Sequence, residues 1–366
     1  MIQVSKDIID INQRFQKIYN LDKVLNLLNN PQQNLPTISV VGTNGKGSTS
    51  FFISKGLLEK YNKVGLFTSP AFIYHNERIQ INNKFISDED LRHYIKITKK
   101  YVVEYKLTFF EIWTLIAILY FADNNVDIIV MEAGIGGVKD STKLMSNQLL
   151  VVVSSISYDH IEVLGTSIEE IIFQKVNIAY KNVPLIISMD NLKYKDIIIK
   201  SLVNKNAIIW ADSYEDKINY QKANKGLANK VLQHFKINYD LNNVQPPIGR
   251  FTQIEFKDIK IILDGAHNVD GINQLINSVN TKEWTVVYAS IETKDYITIL
   301  NTLKNNFEKV YITNFEYFKS WDINKINHNL KIKNIENFIL TSKENLLICG
   351  SLYFVPLVYE FIIKQK

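Results

Sequence analysis

A glycine-rich segment that contains one lysine and two hydroxyl residues offers the clearest chemistry in this sequence. It follows the apolar run Thr37–Val41 and precedes a helical pattern that extends to about Lys60. A strand, a glycine-rich turn and a helix in this order point backbone N–H groups and a helix N-terminus toward a polyphosphate. We therefore predict that a nucleotide binds to Gly42, Thr43, Asn44, Gly45, Lys46, Gly47, Ser48 and Thr49.

The spacing within this phosphate loop departs from the general pattern. Val40 stands six positions before Lys46, and Gly47 is inserted between the lysine and the first hydroxyl. We expect Lys46 to lie among the β- and γ-phosphates, and Ser48 or Thr49 to lie near a metal ion. The alternative is a tight turn without a ligand, but such a turn needs one glycine and not three glycines plus a lysine.

A carboxylate at the end of another apolar run is suited to hold a cation. Glu132 ends the run DIIVME, and Gly134, Gly136 and Gly137 follow it. At the carboxyl end of a strand that faces the phosphate loop, a hard cation needs oxygen ligands. Glu132 is therefore a candidate metal ligand.

Short β-branched runs alternate with longer segments of helical period, which is typical of parallel sheets covered by helices. Both Asp88–Tyr105 and a segment that ends near Tyr180 begin after a serine with a carboxylate three residues later, the spacing of a helix cap. The predicted strands are Thr37–Val41, Val64–Thr68, Val126–Met131, Leu150–Ser154, Val183–Ile187, Ala207–Trp210, Ile259–Leu263, Thr285–Tyr288 and Lys309–Ile312.

The chain has 366 residues, a length that suits two domains. The best boundary is NNVQPPIG at residues 242–249, where two prolines and a glycine interrupt both periodicities. We predict an α/β fold with a larger phosphate-loop domain over residues 1–245 and a smaller Rossmann-like α/β domain over residues 246–366. A ligand held between them would lie at the carboxyl ends of the strands.

Composition and charge exclude several classes of protein. With 46% hydrophobic and 22% charged residues the chain is globular, and its net charge of +5 is scattered, so we expect no nucleic-acid binding. The single cysteine, Cys349, forbids an intramolecular disulfide and fits a reducing compartment. The longest apolar run, Ile112–Ala122, is too short to cross a membrane, and residues 1–15 show no leader pattern. We expect a cytoplasmic protein that does not bind membranes.

Several motifs occur in order along the chain and resemble one family. GTNGKGS resembles the variant phosphate loop of the Mur ligase superfamily, and most closely that of its folate branch, the folylpolyglutamate synthase and dihydrofolate synthase family. The series continues with TSP and ERI, FE with a following T and A, the block SSISYDHIEVLGTSIEEIIFQKVNI, PIGRF, DGAHN and CGSLY. The resemblance implies that the N-terminal domain is of the Mur ligase type.

The resemblance also implies the reaction. Such enzymes use ATP to form an acyl phosphate on a substrate carboxyl group, which the amine of L-glutamate then attacks. The expected acceptor is dihydropteroate, a folate or both. The implied cofactors are ATP and two Mg²⁺ ions, and monomers are usual in the family.

For the first domain, the resemblance gives roles to five residues. Lys46, His160 and Lys175 are the implied catalytic residues. Ser69 and Glu132 would hold one magnesium ion, and His160 would hold a second. Lys175 aligns with a lysine that is carbamylated in much of the superfamily, although a bare helix-surface lysine is the alternative interpretation.

For the second domain, the resemblance places the nucleotide against two motifs. Arg250 of PIGRF would contact the phosphates, since its planar guanidinium suits phosphate oxygens. In DGAHN, Asp264 would lie near the ribose or adenine, and His267 and Asn268 near the phosphates. Cys349 of CGSLY is expected to be a buried structural thiol.

The chain departs from the family pattern at a few positions. Ala71 and Phe72 follow the TSP motif where the family has a histidine, and His75 lies a few residues further on. Val138 replaces the usual arginine, and Gln174 replaces the usual glutamate. The effect of these changes on substrate binding stays open.

Alternative interpretations follow from these departures and from individual motifs. A cell-wall Mur ligase with a UDP-muramyl substrate is one, and a degenerate homologue that binds nucleotide without ligase activity is another. Ser69 and the following proline are also a common turn signal. Glu111 of the FE motif is either functional or a partner for a helix dipole.

Overall fold

The computed structural model of the protein describes residues 1–4, 19–317 and 319–366. Most of the N-terminal stretch without a leader pattern therefore lies outside the described residues. The chain forms two compact units, the first of residues 1–216 and 221–244, the second of residues 217–220 and 245–366. Across the described ranges, no helix combines the length and apolar character that a membrane span requires.

The first unit is built on an eight-stranded sheet. In sheet order the strands are β4, β3, β2, β5, β1, β6, β7 and β8, and all neighbours from β2 to β8 pair in parallel, while β3 and β4 are antiparallel. Their bounds are β1 Thr37–Val41, β2 Val64–Phe67, β3 Ile79–Ile81, β4 Lys84–Phe85, β5 Ile128–Glu132, β6 Gln148–Val153, β7 Leu185–Ser188 and β8 Ile208–Ala211.

Helices cover both faces of this sheet. Apolar residues of α2 and α8 pack on one face, and α4, which is apolar on all sides, is buried on another part of the sheet. The helices are α1 Leu21–Leu27, α2 Lys46–Leu57, α3 Asp88–Tyr105, α4 Phe109–Asp123, α5 Ile161–Leu164, α6 Ile168–Val176, α7 Lys195–Ser201 and α8 Asn219–His234. Single 3₁₀ turns lie at Pro31–Asn34, His75–Arg78, Ser141–Leu144 and Met189–Tyr194.

The second unit has a six-stranded sheet of its own. Its strand order is β13, β12, β11, β14, β10 and β9. Among the described residues, the edge strand β9 is antiparallel to β10, and the other neighbours pair in parallel. The elements are β9 Thr252–Phe256, β10 Ile259–Asp264, α9 Val269–Ile276, β11 Thr285–Tyr288, α10 Tyr296–Asn306, β12 Val310–Thr313, β13 Lys331–Ile332, α11 Ile335–Thr341, β14 Leu346–Cys349 and α12 Val355–Gln365. Further 3₁₀ turns lie at Thr281–Glu283 and Ile323–Lys325.

The predicted α/β class is confirmed, and the predicted elements are found with small shifts at their ends. The bounds of β1, β11 and α3 agree with the prediction at both ends. The helix expected to reach Tyr180 is wrong at its C-terminus: it ends at Val176, because the Lys143 ammonium takes the next two carbonyl oxygens. The strands that were not predicted are mostly short or lie at sheet edges, where no periodicity develops.

Candidate functional site

The phosphate loop connects the buried strand β1 to the N-terminus of α2. Gly42 and Gly45 have φ values of +146° and +87°. A Cβ atom at Gly42 would lie 2.0 Å from Oγ of Ser154, and one at Gly45 would lie 2.2 Å from Oδ1 of Asn224. Conformation and space therefore both require glycine at these two positions.

Two of the predicted loop residues hold the loop in shape. The Thr43 amide donates to the Ser155 carbonyl oxygen at 2.6 Å, and the Thr43 hydroxyl donates to the Ser157 carbonyl oxygen at 3.0 Å. Asn44 forms an isolated bridge with Ser155. These contacts fix the loop to the chain that follows β6.

The first turn of α2 lies beside a carboxylate. A Cβ atom at Gly47 would be 3.5 Å from Oε2 of Glu132, so glycine lets the helix pass close to this acid. Ser48 and Thr49 are buried, and the Ser48 hydroxyl accepts a hydrogen bond from the Gln221 side chain at 3.4 Å. The predicted loop residues and the predicted metal ligand Glu132 therefore lie together.

Two lysines donate to the same carbonyl oxygen of the loop. The Lys46 ammonium lies 3.3 Å from the Gly42 oxygen and 3.1 Å from the Thr43 oxygen. The Lys175 ammonium donates to the Gly42 oxygen at 2.8 Å and to the Ile135 oxygen at 3.2 Å. Although it belongs to helix α6, Lys175 thus reaches the phosphate loop.

The environment of Lys175 favours its neutral form. The residue is buried and only 1% exposed. Burial, followed by the positive charge of Lys46, lowers the pKa of Lys175 to about 7. A large fraction of this amine is therefore unprotonated at neutral pH, which is the form that reacts with electrophiles.

The two residues expected to hold one magnesium ion are neighbours. Glu132 Oε2 accepts hydrogen bonds from the Thr68 hydroxyl and, at 3.1 Å, from the Ser69 amide. The Ser69 hydroxyl accepts from Arg78 Nη1 at 3.3 Å. Carboxylate and hydroxyl oxygens beside a phosphate loop fit Mg²⁺, which takes one or two protein ligands together with phosphate and water. The described residues contain no group of three His, Cys, Asp or Glu side chains able to hold a metal ion.

The glycine-rich loop after β5 is fixed by Asp140. Its Oδ2 accepts from the amides of Ile135 at 3.1 Å and Gly136 at 2.8 Å, while Oδ1 accepts from the amide and hydroxyl of Thr142. The ring of Phe110 packs on the loop, since a Cβ atom at Gly134 would lie 2.8 Å from it. Asp140 thereby fixes the peptide whose carbonyl oxygen binds Lys175.

His160 lies at the N-terminus of the short helix α5 in a left-handed conformation, with φ of +50°. Its side chain is 37% exposed. Its ring nitrogens are 4.0 Å from Asp159 Oδ2 and 3.8 Å from Glu162 Oε1. The imidazole is therefore accessible to a ligand and lies among carboxylates of its own loop.

The segment that departs from the family pattern after Ser69 is ordered by one acid. The Glu77 carboxylate accepts from the backbone amides of residues 72–74 at 2.7 to 2.9 Å. Ala71, which directly precedes these residues, is buried. His75 is also buried, and its ring stacks on Trp113 with centroids 5.2 Å apart. His75 is thus a residue of the core.

Glu111 of the FE motif has a structural role. Its Oε1 accepts from the amides of Asn20 at 2.7 Å and Leu21 at 2.9 Å, at the start of α1. Its Oε2 accepts from the amide and the hydroxyl of Thr108, both at 2.8 Å, in a capping box for α4. One buried carboxylate thus caps two helices. Of the two interpretations derived from the sequence, this role is close to that of a partner for a helix dipole.

Replacing Glu111 with alanine is expected to lower the free energy of unfolding by about 3–5 kcal/mol, because it leaves buried donors unsatisfied at two helix starts. Urea denaturation followed by tryptophan fluorescence measures the change. Glu170→Ala is the matched control, since Glu170 forms the same kind of capping box at the exposed start of α6. A loss for Glu111→Ala no larger than that of the control would contradict the capping role.

In the second unit, Asp264 is the centre of a buried network. Its Oδ2 accepts from the Tyr220 hydroxyl at 2.6 Å and from the Phe251 amide at 2.8 Å, and its Oδ1 accepts from the Ala266 amide at 2.8 Å. Burial raises the pKa of Asp264, while the Tyr220 hydrogen bond and the positive charge of Arg250 oppose that rise. Asp264 thus holds the PIGRF and DGAHN segments together.

The other predicted residues of the second unit surround the same turn. The Gly265 amide donates to the Gly249 oxygen at 2.9 Å, and a Cβ atom at Gly265 would lie 2.7 Å from Arg250 Nη1. The His267 ring nitrogen Nδ1 lies 2.8 Å from the Gly265 oxygen. Asn268 accepts from the Gly271 amide at 2.8 Å and so caps α9. The structure therefore groups Arg250, Asp264 and His267 around one turn.

Four residues in or near these networks were missed by sequence analysis. They are Thr68 on Glu132, Gln221 and Asn224 beside the phosphate loop, and Tyr220 on Asp264. Three of them belong to the start of α8, whose polar residues resemble a solvated helix face in sequence. Their burial, 0% exposure for Gln221 and 7% for Asn224, is the signal that identifies them.

A glycine-rich loop between the carboxyl end of the central parallel strand β1 and the N-terminus of α2, in a chain with a second α/β unit, is typical of nucleotide-binding enzymes. The model of the Mur ligase middle domain matches residues 40–276. A dihydrofolate synthase/folylpolyglutamate synthase from Buchnera aphidicola subsp. Schizaphis graminum is 30% identical over 365 residues, covering 87% of this chain and 86% of that protein. The chain belongs to the folylpolyglutamate synthase and dihydrofolate synthase family of the Mur ligase superfamily, and it is an enzyme of the ligase class.

Solved structures give the same fold. Folylpolyglutamate synthase from Thermotoga maritima superposes with a TM-score of 0.78 at 26% identity, covering 95% of this chain and 93% of that one. A bifunctional folylpolyglutamate synthase/dihydrofolate synthase from Yersinia pestis, complexed with AMPPNP and a manganese ion, gives a TM-score of 0.80 at 20% identity, with 95% of each chain covered. The prediction of a two-domain Mur ligase fold is confirmed by these matches.

Proposed function

We propose that this protein uses ATP to join L-glutamate to dihydropteroate, to a tetrahydrofolate or other folate, or to both, through an acyl phosphate. The observation that carries the proposal is the phosphate loop, where Lys46, the N-terminus of α2 and the buried Glu132 lie together. Family membership supplies the reaction class and the kind of acceptor. It also favours this function over the UDP-muramyl alternative.

The first task of the site is to neutralise charge, since a carboxylate must approach an anionic γ-phosphate. The Lys46 ammonium exchanges its hydrogen bonds to the Gly42 and Thr43 oxygens for bonds to phosphate oxygens, which are stronger acceptors. The N–H groups at the start of α2 bind the anionic oxygens in the same place. Both contributions are fixed in position before reaction, as effective electrostatic catalysis requires.

A divalent metal, supplied as Mg²⁺, would neutralise phosphate charge and polarise the phosphoryl group. We propose that Glu132 and Ser69 hold one ion, and that His160 contributes to a second. The Thr68 hydroxyl and the Ser69 amide orient the Glu132 carboxylate, and Arg78 orients the Ser69 hydroxyl. The nucleotide and manganese in the Yersinia pestis enzyme support a metal–nucleotide ligand.

We propose that Lys175 is carbamylated. The neutral Nζ attacks the carbon of CO₂: the N–C bond forms, one C–O π bond becomes a lone pair on oxygen, and one N–H proton passes to water, so a neutral amine becomes an anionic carbamate. The pKa of about 7 supplies the neutral amine that this step needs. The resulting carboxylate would contribute an oxygen ligand to the second metal position near the acyl phosphate.

We assign the ATP-binding domain to residues 1–245 and the glutamate-ligase domain to residues 246–366. The break between the compact units at residues 244 and 245 supports this division, with the addition that residues 217–220 belong to the second unit. Arg250 would bind nucleotide phosphates, Asp264 the ribose or adenine, and His267 and Asn268 the phosphates. The network around Asp264 supports these roles because it fixes Arg250 and the DGAHN turn together.

The proposed reaction is tested by phosphate release with ATP, Mg²⁺ and L-glutamate, using dihydropteroate and tetrahydrofolate as separate acceptors. We expect release with one or both acceptors and mass-spectrometric detection of a product one glutamyl residue heavier. Omission of glutamate is the control, and it should abolish amide product. Absence of phosphate release with both acceptors, from protein that binds ATP, would indicate a nucleotide-binding homologue without ligase activity and overturn the proposal.

We also propose that the protein acts as a cytoplasmic monomer on small molecules, without a nucleic-acid or membrane partner. The single buried cysteine fits a reducing compartment, and the scattered charge supports the lack of a nucleic-acid surface. Light scattering of the purified chain tests the monomeric state.

A further inference from the structure

The segment Ile135–Lys143 is attached at three points to helix α6 and to the two residues that follow it. The Val138 amide donates to Gln174 Oε1 at 3.1 Å, and the Lys175 ammonium donates to the Ile135 oxygen at 3.2 Å. The Lys143 ammonium binds the carbonyl oxygens of Asn177 at 3.2 Å and the following residue at 2.8 Å. The glycine loop and α6 are therefore joined through both side chains and backbone.

Gln174 is the central contact of the three. A Cβ atom at Gly137 would lie only 3.0 Å from Gln174 Oε1, so the glycine backbone approaches this amide closely. Val138 is 38% exposed and offers no polar side chain, hence its backbone N–H is the group that Gln174 binds. Val138 and Gln174 are also two of the positions where the sequence departs from the family pattern.

We infer that Gln174 is a positioning residue that fixes the glycine loop on α6, and through the Ile135 carbonyl fixes the Lys175 amine. Two side chains bind amides of the loop: Asp140 binds those of Ile135 and Gly136, and Gln174 binds that of Val138. Removing the Gln174 acceptor takes away the contact to the Val138 amide and leaves the Asp140 contacts and the Lys175 contact to the Ile135 oxygen. The expected effect on catalysis rests on the proposed function. The fixing of the glycine loop on α6 does not depend on it.

The matched variants are Gln174→Ala, which removes the acceptor, and Gln174→Glu, which keeps an oxygen at the same place. Loss of one such hydrogen bond is expected to increase local opening by about two- to thirteenfold. We expect amide exchange in residues 134–138 to increase by this factor in Gln174→Ala and to stay near wild type in Gln174→Glu. Phe173→Ala, an exposed neighbour on α6, is the control.

Hydrogen exchange monitored by mass spectrometry gives this result without reference to activity. In the ligase assay, we expect Gln174→Ala to lower kcat about three- to tenfold while the KM for ATP changes less than twofold, and Gln174→Glu to recover most of the loss. Unchanged exchange in Gln174→Ala would overturn the inference even in an active enzyme. Faster exchange confined to Gln174→Ala, in a protein without ligase activity, would uphold the positioning role and overturn only the proposed function.

Discussion

Replacing Lys46 with alanine is expected to lower kcat for phosphate release by about 10²- to 10³-fold, the usual effect of removing a preorganised electrostatic contact from a transition state. The side chain reaches the Gly42 and Thr43 oxygens from the first helical position of α2, so it is in place to bind the γ-phosphate. Phosphate release at saturating ATP and acceptor measures the loss. Thermal unfolding of the variant establishes that the fold is kept.

Lys55→Ala is the matched control for this prediction. Lys55 lies on the same helix, but its ammonium stacks over the Phe51 ring at 5.2 Å, and its removal is expected to leave kcat near wild type. Retention of more than about a third of the activity in Lys46→Ala would refute the assigned phosphate loop. Equal losses in both variants would show a general effect of charge on α2 instead.

The phosphate loop could be predicted from sequence because its signals are local. Strand β1, the glycines and Lys46 are contiguous, and the conformation that Gly42 and Gly45 adopt is one that other residues avoid. The placement of Glu132 followed from the same logic, since β5 is parallel to β1 and both end at the same edge of the sheet. Local patterns and parallel pairing were sufficient to predict that these residues lie together.

Roles that depend on distant partners could not be predicted in this way. Glu111 caps α1 through amides about 90 positions away in sequence. The sequence placed His75 only a few residues after the position where the family has a histidine, and its stacking against a tryptophan in the core follows from packing that the sequence does not show. In sequence, Tyr220 lies after the phosphate loop and 44 residues before Asp264. No local pattern connects these two residues. Long-range packing decides each of these roles.

The same limit applies to Lys175: the sequence identifies the residue, but it does not show whether its amine is buried or protonated. A lysine on a helix is usually solvated and charged, with an ordinary pKa near 10.4. Here the side chain is 1% exposed and shares the Gly42 oxygen with a second lysine. Burial and a like charge both disfavour the ammonium form, so this amine is more readily deprotonated than an ordinary lysine, as the proposed carbamylation requires.

Replacing Lys175 with alanine is therefore expected to lower kcat by about 10²-fold or more, since it removes the charge that the proposed carbamate would supply beside the acyl phosphate. A short carboxylate such as acetate should restore part of the activity to this variant by occupying the space of the lost group. Lys175→Arg is the control, because it keeps a cation that cannot form the carbamate under these conditions and should gain nothing from acetate.

The modification itself is measured on the wild-type protein by ¹³C NMR after equilibration with ¹³CO₂. Since the pKa of Lys175 is lowered to about 7, the neutral amine predominates above that pH, and carbamate occupancy should rise between about pH 6 and 8 at fixed CO₂. An ordinary lysine would show almost no neutral amine in this range. Wild-type activity that is unaffected by removal of CO₂, together with no ¹³C signal and no acetate rescue, would contradict a carbamate at Lys175 and leave its amine as a donor to the phosphate loop.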